Sequence, residues 1–133
     1  MPYRILDHTA DIGIEATAPD VPTLFSEAVR ACAAVILDAP PGEPVAEAPV
    51  AVEAQDLAAL LAALLGEALW TFESTSKLPV AAELEVSATT AAGTLRCMET
   101  ATVGGPAIKA VTYHQLLVER SDDGWRARVF FDV

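Results

Sequence analysis

The sequence predicts an α+β fold, a mainly antiparallel sheet carrying two principal helices. Three observations predict it. Two segments, 21–37 and 57–72, repeat apolar residues at helical spacing. Shorter segments alternate or run apolar at strand length and outnumber the helices. Most of them come in pairs around turn residues, which favours hairpins over parallel crossovers. At 133 residues the chain is long enough for one hydrophobic core, so a single domain over 1–133 is expected.

Tyr3 to Leu6 reads as a short first strand, broken by Asp7 to Ala10. Asp11 to about Ala18 alternates. Ile12, Ile14, Ala16 and Ala18 share one face, and Asp11, Gly13, Glu15 and Thr17 share the other. Asp20 can cap a helix that carries Pro22 in its first turn and runs to Leu37. The proline-rich stretch from Asp38 to about Pro49 is expected to be a loop, and Val50 to Ala54 a short strand. Asp56 can cap the second helix. Its Leu57, Leu60, Leu61, Leu64, Leu65, Ala68, Leu69 and Phe72 hold the clearest period in the chain and mark it as the core helix. Ser74 to Pro79 reads as a loop. Ala81 to Thr90 and Gly93 to Thr102 form a predicted hairpin turning at Ala91-Ala92-Gly93. Gly104-Gly105-Pro106 is a break without the context of a nucleotide loop. Ala107 to Glu119 and Trp125 to Val133 form a last hairpin, with Asp123-Gly124 supplying the turn.

Composition narrows function. The formal net charge of −11 argues against nucleic-acid binding by the protein alone, since phosphates would repel it. A cation or a basic protein partner fits better, although charge of this size also serves solubility. No apolar run approaches the roughly 20 residues of a membrane span, and no signal-like segment opens the chain. The cytoplasm is therefore the expected compartment. Cys32 and Cys97 have neither CxxC nor disulfide-framework spacing and read as buried small residues. His8 and His114 lack metal-ligand spacing, and His114 reads as a half-buried sheet residue.

The chemistry concentrates at the two ends. In the last strand Arg126, Arg128, Phe130 and Asp132 share a face. A two-residue turn would pair Tyr113 with Asp132 and Thr112 with Val133, a register that a bulge would change. Lys109, Val111 and Tyr113 would then lie on Asp132's face, with Lys109 about 10 Å beyond the chain end at strand rise. Asp132, the α-carboxylate of Val133 and Asp11 make three hard oxygen donors, a set suited to Mg²⁺, Mn²⁺ or Ca²⁺ rather than zinc. A solvated acid near a frayed terminus is the plainer alternative. Asp38 is either a further ligand or a helix-end residue, the latter being the simpler assignment. No serine lies in a GxSxG turn. His8 beside Asp7 is a poor general base, because neighbours on a strand face opposite ways. An enzyme in its own right is the less favoured class.

Three segments together resemble one family. Leu6-Asp7-His8-Thr9-Ala10-Asp11-Ile12-Gly13-Ile14 is similar to the opening motif of the archease family. Ile108-Lys109-Ala110-Val111-Thr112-Tyr113-His114 resembles its KA(V/I)TYH strand, and Trp125 to Val133 resembles its terminal strand, which ends in Asp and one aliphatic residue. Order and spacing match across essentially the whole chain. The short, glycine-rich Val103 to Pro106 departs from the longer and more polar segment usual in the family.

The resemblance implies an accessory protein rather than an enzyme. Archeases assist the RtcB-type RNA ligase of tRNA splicing and RNA repair, promoting its guanylylation with GTP and its repeated turnover. By position the family's divalent-metal site falls on Asp11, Asp132 and Val133, and its activating lysine on Lys109. The ligase is then the expected partner, with no direct contact to nucleic acid or membrane. The family has also been associated with a second role, chaperoning a tRNA-modifying methyltransferase. A small metal-dependent phosphohydrolase using the same carboxylates is a third possibility, disfavoured because a single basic residue is placed to stabilise a phosphoryl transition state.

Overall fold

The computed structural model describes residues 2–7, 11–100 and 103–133, with the backbone alone at Asp7. Its elements run β1 (Tyr3–Asp7), β2 (Asp11–Ala18), α1 (Val21–Leu37), β3 (Ala46–Glu53), α2 (Leu57–Thr75), β4 (Lys77–Val86), β5 (Thr90–Glu99), β6 (Ala110–Ser121) and β7 (Gly124–Asp132). The expected α+β class is the observed one. The strands form two antiparallel sheets rather than one. One has four strands in the order β1-β2-β7-β6, the other three in the order β3-β5-β4.

Both helices start where the sequence places them. The Asp20 carboxylate accepts the Thr23 N–H at 2.8 Å, and the Asp56 carboxylate accepts the Ala59 N–H at 2.8 Å. Each satisfies one of the donors that a helix N-terminus leaves open. The Thr23 amide and then its side chain hold the Asp20 carboxyl below its ordinary value. A lowered folded-state value contributes stability above the unfolded pKa, and the contribution is lost as pH falls through the folded value. Asp20→Ala is therefore expected to melt below the wild type at neutral pH, with the gap closing in acid, as thermal scans across pH would read.

Helix α1 ends at Asp38, whose left-handed backbone (φ 54°) lets its N–H reach the Ala34 and Val35 carbonyls. Asp38 thus takes the helix-end role. One apolar stripe was expected on α1, but Ala31 to Ile36 are all buried. The helix packs against β2 of one sheet and β4 of the other, where Ser26 Oγ accepts the Ala82 N–H at 3.0 Å. Small residues such as Ala31, Ala33 and Ala34 fit that doubly covered position. Burial pushes the Cys32 thiol up to about 12 and raises that of Cys97. Neither is expected to react with a disulfide reagent at mildly alkaline pH, and both should react once denatured.

Helix α2 corrects the membrane argument. Its 19 residues, with a mean hydropathy of 1.4 over the best window, meet the length and composition of a membrane span. The apolarity goes instead into the core, where Leu60, Leu61, Leu64 and Leu65 join Phe25, Val29, Ile14 and Phe131.

Several strand boundaries moved. β3 begins at Ala46 because a proline is tolerated on an edge strand, and Pro49 sits on one. The expected loop over Ser74–Pro79 shrinks to Ser76, the left-handed cap of α2, and Pro79 lies at a register shift in β4. The β4–β5 turn falls at Ser87–Thr90, not at Ala91–Gly93. Ser87 Oγ accepts the Thr89 and Thr90 amides at 3.3 and 3.0 Å, making a side-chain turn that the glycine had obscured. Gly93 lies inside β5, where a Cβ would come within 2.0 Å of the Glu83 carbonyl oxygen. The Gly104-Gly105 break has a similar cause. The Gly105 N–H donates to Ile36 O at 3.0 Å, so close to the end of α1 that a Cβ would meet Val35 O at 2.1 Å. The predicted Thr102 end of β5 lies outside the described residues.

Candidate functional site

Strands β2 and β7 are neighbours, and their register sets Asp11 directly opposite Asp132. Gly13 with Phe130, Glu15 with Arg128 and Thr17 with Arg126 follow on the same outer face. Acids further along this face have cations. Glu15 pairs with Arg4 at 2.7 Å and approaches Arg128 at 3.9 Å, and Glu119 pairs with Arg126. Among the described residues Asp11 and Asp132 have no ion pair. Like charges directly opposite in a sheet repel, and among the described residues no cation offsets this pair.

Beside the pair lies an apolar floor. Phe130 is on the outer face yet only 5% exposed. Its ring lies across Gly13, where a Cβ would come within 2.6 Å of Phe130 Cε1. His114 leans on the same ring with centroids 5.9 Å apart and planes tilted by 59°. Gly13 was legible only as part of a motif. A glycine in a strand that faces an aromatic on the next one was the signal for this contact. His114 itself is exposed, not half-buried as expected.

The partner of Asp132 on β6 differs from expectation. Near the turn the predicted phase holds, with Ser121 opposite Gly124 and Leu117 opposite Arg128. The register then shifts between Thr112 and Leu117, and Gln115 turns left-handed (φ 53°). Beyond this bulge Ala110, rather than Tyr113, faces Asp132. Lys109 is consequently adjacent to the acid, not about 10 Å past it, and its N–H donates to Asp132 O at 2.7 Å. The shift also reverses its side. Lys109 falls out of phase with Asp132 and lines a hollow against α2 with Trp70, Glu73 and Tyr113. Asp11, Asp132 and the exposed Val133 thus share one end of the four-stranded sheet, with Lys109 on its opposite face.

His8 and the Asp7 side chain lie outside the described residues. Among the described residues no three His, Cys, Asp or Glu side chains form a metal-binding group. A cation here would rest on the two opposed carboxylates with an oxygen of Val133. Carboxylate-only donors without a competing cation fit a hard divalent ion.

A model of the Archease protein family (MTH1598/TM1083) matches residues 3–133. The chain belongs to the archease family. The protein archease of Methanosarcina mazei is 33% identical over 139 residues, covering 98% of this chain and 95% of the relative. That of Archaeoglobus fulgidus is 31% identical, with both chains covered in full. Protein 1598 of Methanobacterium thermoautotrophicum has the same fold, with a TM-score of 0.77 at 24% identity over 99% of each chain. A Thermotoga maritima structure described as an archease and possible chaperone superposes with a TM-score of 0.67 at 22% identity, over 96% of this chain and 94% of its own. Members of the archease family are generally non-catalytic accessory proteins.

Proposed function

We propose that this protein activates an RtcB-type RNA ligase, promoting guanylylation of the ligase with GTP and allowing it to turn over repeatedly in tRNA splicing or RNA repair. The observation that carries the reading is the register pair Asp11 and Asp132, held against the backbone of Lys109 at 2.7 Å. Three residues that the family resemblance singles out from distant parts of the chain meet at one sheet end. The net charge of −11 suits a protein that leaves the RNA to the ligase.

Asp11, Asp132 and Val133 would hold a Ca²⁺, Mg²⁺ or Mn²⁺ ion. A bound cation neutralises the opposed carboxylates and supplies a fixed positive charge at the ligase's nucleotide mouth. Lys109 points to the other face and would meet a phosphate or an acid of the ligase there. Cation binding to the folded state raises stability by about 2.7 kcal/mol at a hundredfold excess over Kd. Calcium is therefore expected to raise the melting temperature of the wild type and to leave that of Asp11→Ala unmoved.

The deciding experiment is RNA ligation by the RtcB-type ligase of the same organism at excess RNA, with and without this protein untagged at Val133. Multiple turnovers only in its presence support the reading. An active ligase left unstimulated by folded protein ends it. One observation keeps a second reading in view, the Thermotoga maritima relative described as a possible chaperone. A chaperone for a tRNA-modifying methyltransferase would prevent that enzyme's aggregation without stimulating ligation.

A further inference from the structure

Helix α2 leaves a side of itself uncovered. Trp70 is 64% exposed and Tyr113, carried outward by the β6 bulge, is 70% exposed. The two line one hollow of about 360 Å³ beside Lys109 and Glu73. Exposed aromatics around a concavity are costly to leave in water and are the residues that dominate protein interfaces. Tyr113 also borders a second hollow with Leu116, so the uncovered groove continues along the helix.

Charge selects what covers it. Helix α2 carries no lysine or arginine, and its exposed acids Glu67 and Glu73 flank Trp70. A membrane surface is disfavoured, because an interfacial helix needs cations against anionic lipid. A second copy is disfavoured too, since each copy brings a net charge of −11 and the same acids. A partner with an apolar knob, rimmed by lysine or arginine toward Glu67 and Glu73 and by an acid or phosphate toward Lys109, fits both the hollow and its border. The groove adjoins the activator site, for Lys109 lines it while its N–H is bonded to the Asp132 carbonyl.

We infer that the Trp70–Tyr113 groove is the docking surface for the ligase, gripping a basic, apolar patch beside the ligase's active-site mouth, while the Asp11–Asp132 end acts after docking. The inference rests on the ligase reading above. A protein that holds RNA must present cations around its active site, so the complementary surface follows from the partner's own chemistry.

The two parts separate in titrations. Trp70→Ala and Tyr113→Ala, each checked by circular dichroism and melting temperature, are added in increasing concentration to the ligase under multiple-turnover conditions, and binding is measured by calorimetry. Docking through the groove raises the concentration for half-maximal stimulation, and the Kd, at least tenfold while the plateau of stimulation is retained. Unchanged half-maximal concentration and Kd in both folded variants overturn the docking surface and leave the activator reading standing. Wild-type protein that neither binds nor stimulates an active ligase overturns the activator reading and the assigned occupant together. A wild-type dimer in sedimentation that Trp70→Ala dissolves overturns the inference in favour of self-association.

Discussion

Asp132→Asn is expected to abolish multiple-turnover ligation while melting, without divalent cation, at or above the wild-type temperature. The two effects have one cause. Asp11 and Asp132 face each other across β2 and β7, and among the described residues neither has an ion pair. Removing one charge relieves a cross-strand repulsion on the order of 0.2–1 kcal/mol. The same change removes half of the side-chain carboxylates proposed to hold the cation, and stimulation should be lost with it. Asp11→Asn should behave alike, and the double variant should lose little more, because both residues serve one ion. A structural role would give the reverse pattern of lower stability with stimulation kept. If both single variants stimulate fully at saturating protein, the acidic pair has no part in activation.

The second large effect concerns the floor beside the acids. Gly13→Ala should destabilise the protein by about 1–3 kcal/mol, the usual cost of forcing atoms into a packed site. The added Cβ would stand 2.6 to 3.0 Å from three atoms of the Phe130 ring. That ring has little freedom to yield, being 5% exposed and flanked by His114. Shortening the obstacle should relieve the clash. Gly13→Ala combined with Phe130→Leu is expected to be more stable than the two single losses added together, by at least about 0.5 kcal/mol. Denaturant unfolding of the four proteins would measure it. Strict additivity would mean that the ring already clears the new methyl.

Much of this was legible in the sequence because it depends on local rules. Asp20 and Asp56 cap the helices they precede, and the alternation of Asp11 to Ala18 fixed which face carries Asp11. The stretch Ser121 to Gly124 placed the last turn and the phase next to it held, although the turn residues are Asp122 and Asp123, with Gly124 already paired to Ser121 in the ladder. What failed was non-local. The bulge at Tyr113 to Leu116 leaves no mark in periodicity, so an unbroken register pairs Tyr113 with Asp132 and sets Lys109 on its face, whereas the bulged one brings Ala110 opposite Asp132. Gly93 looked like a turn because the approach of Glu83 that requires it comes from another strand. Trp70 was outside the expected core stripe, yet its exposure next to Tyr113 required the packing of α2 on β6. The family resemblance named Asp11, Lys109 and Asp132 without indicating which of them share a face.

The position of β7 has a consequence for when the protein becomes competent. It follows every other described strand in the sequence, yet it lies inside the four-stranded sheet between β2 and β6. On the ribosome the first hairpin, β1 with β2, must wait with an open edge until β7 has emerged, and the pairing of Asp11 with Asp132 is among the most sequence-distant in the fold. Closing so long a loop is slow relative to local pairing. A nascent chain from which β7 has not yet emerged therefore carries no assembled acidic pair.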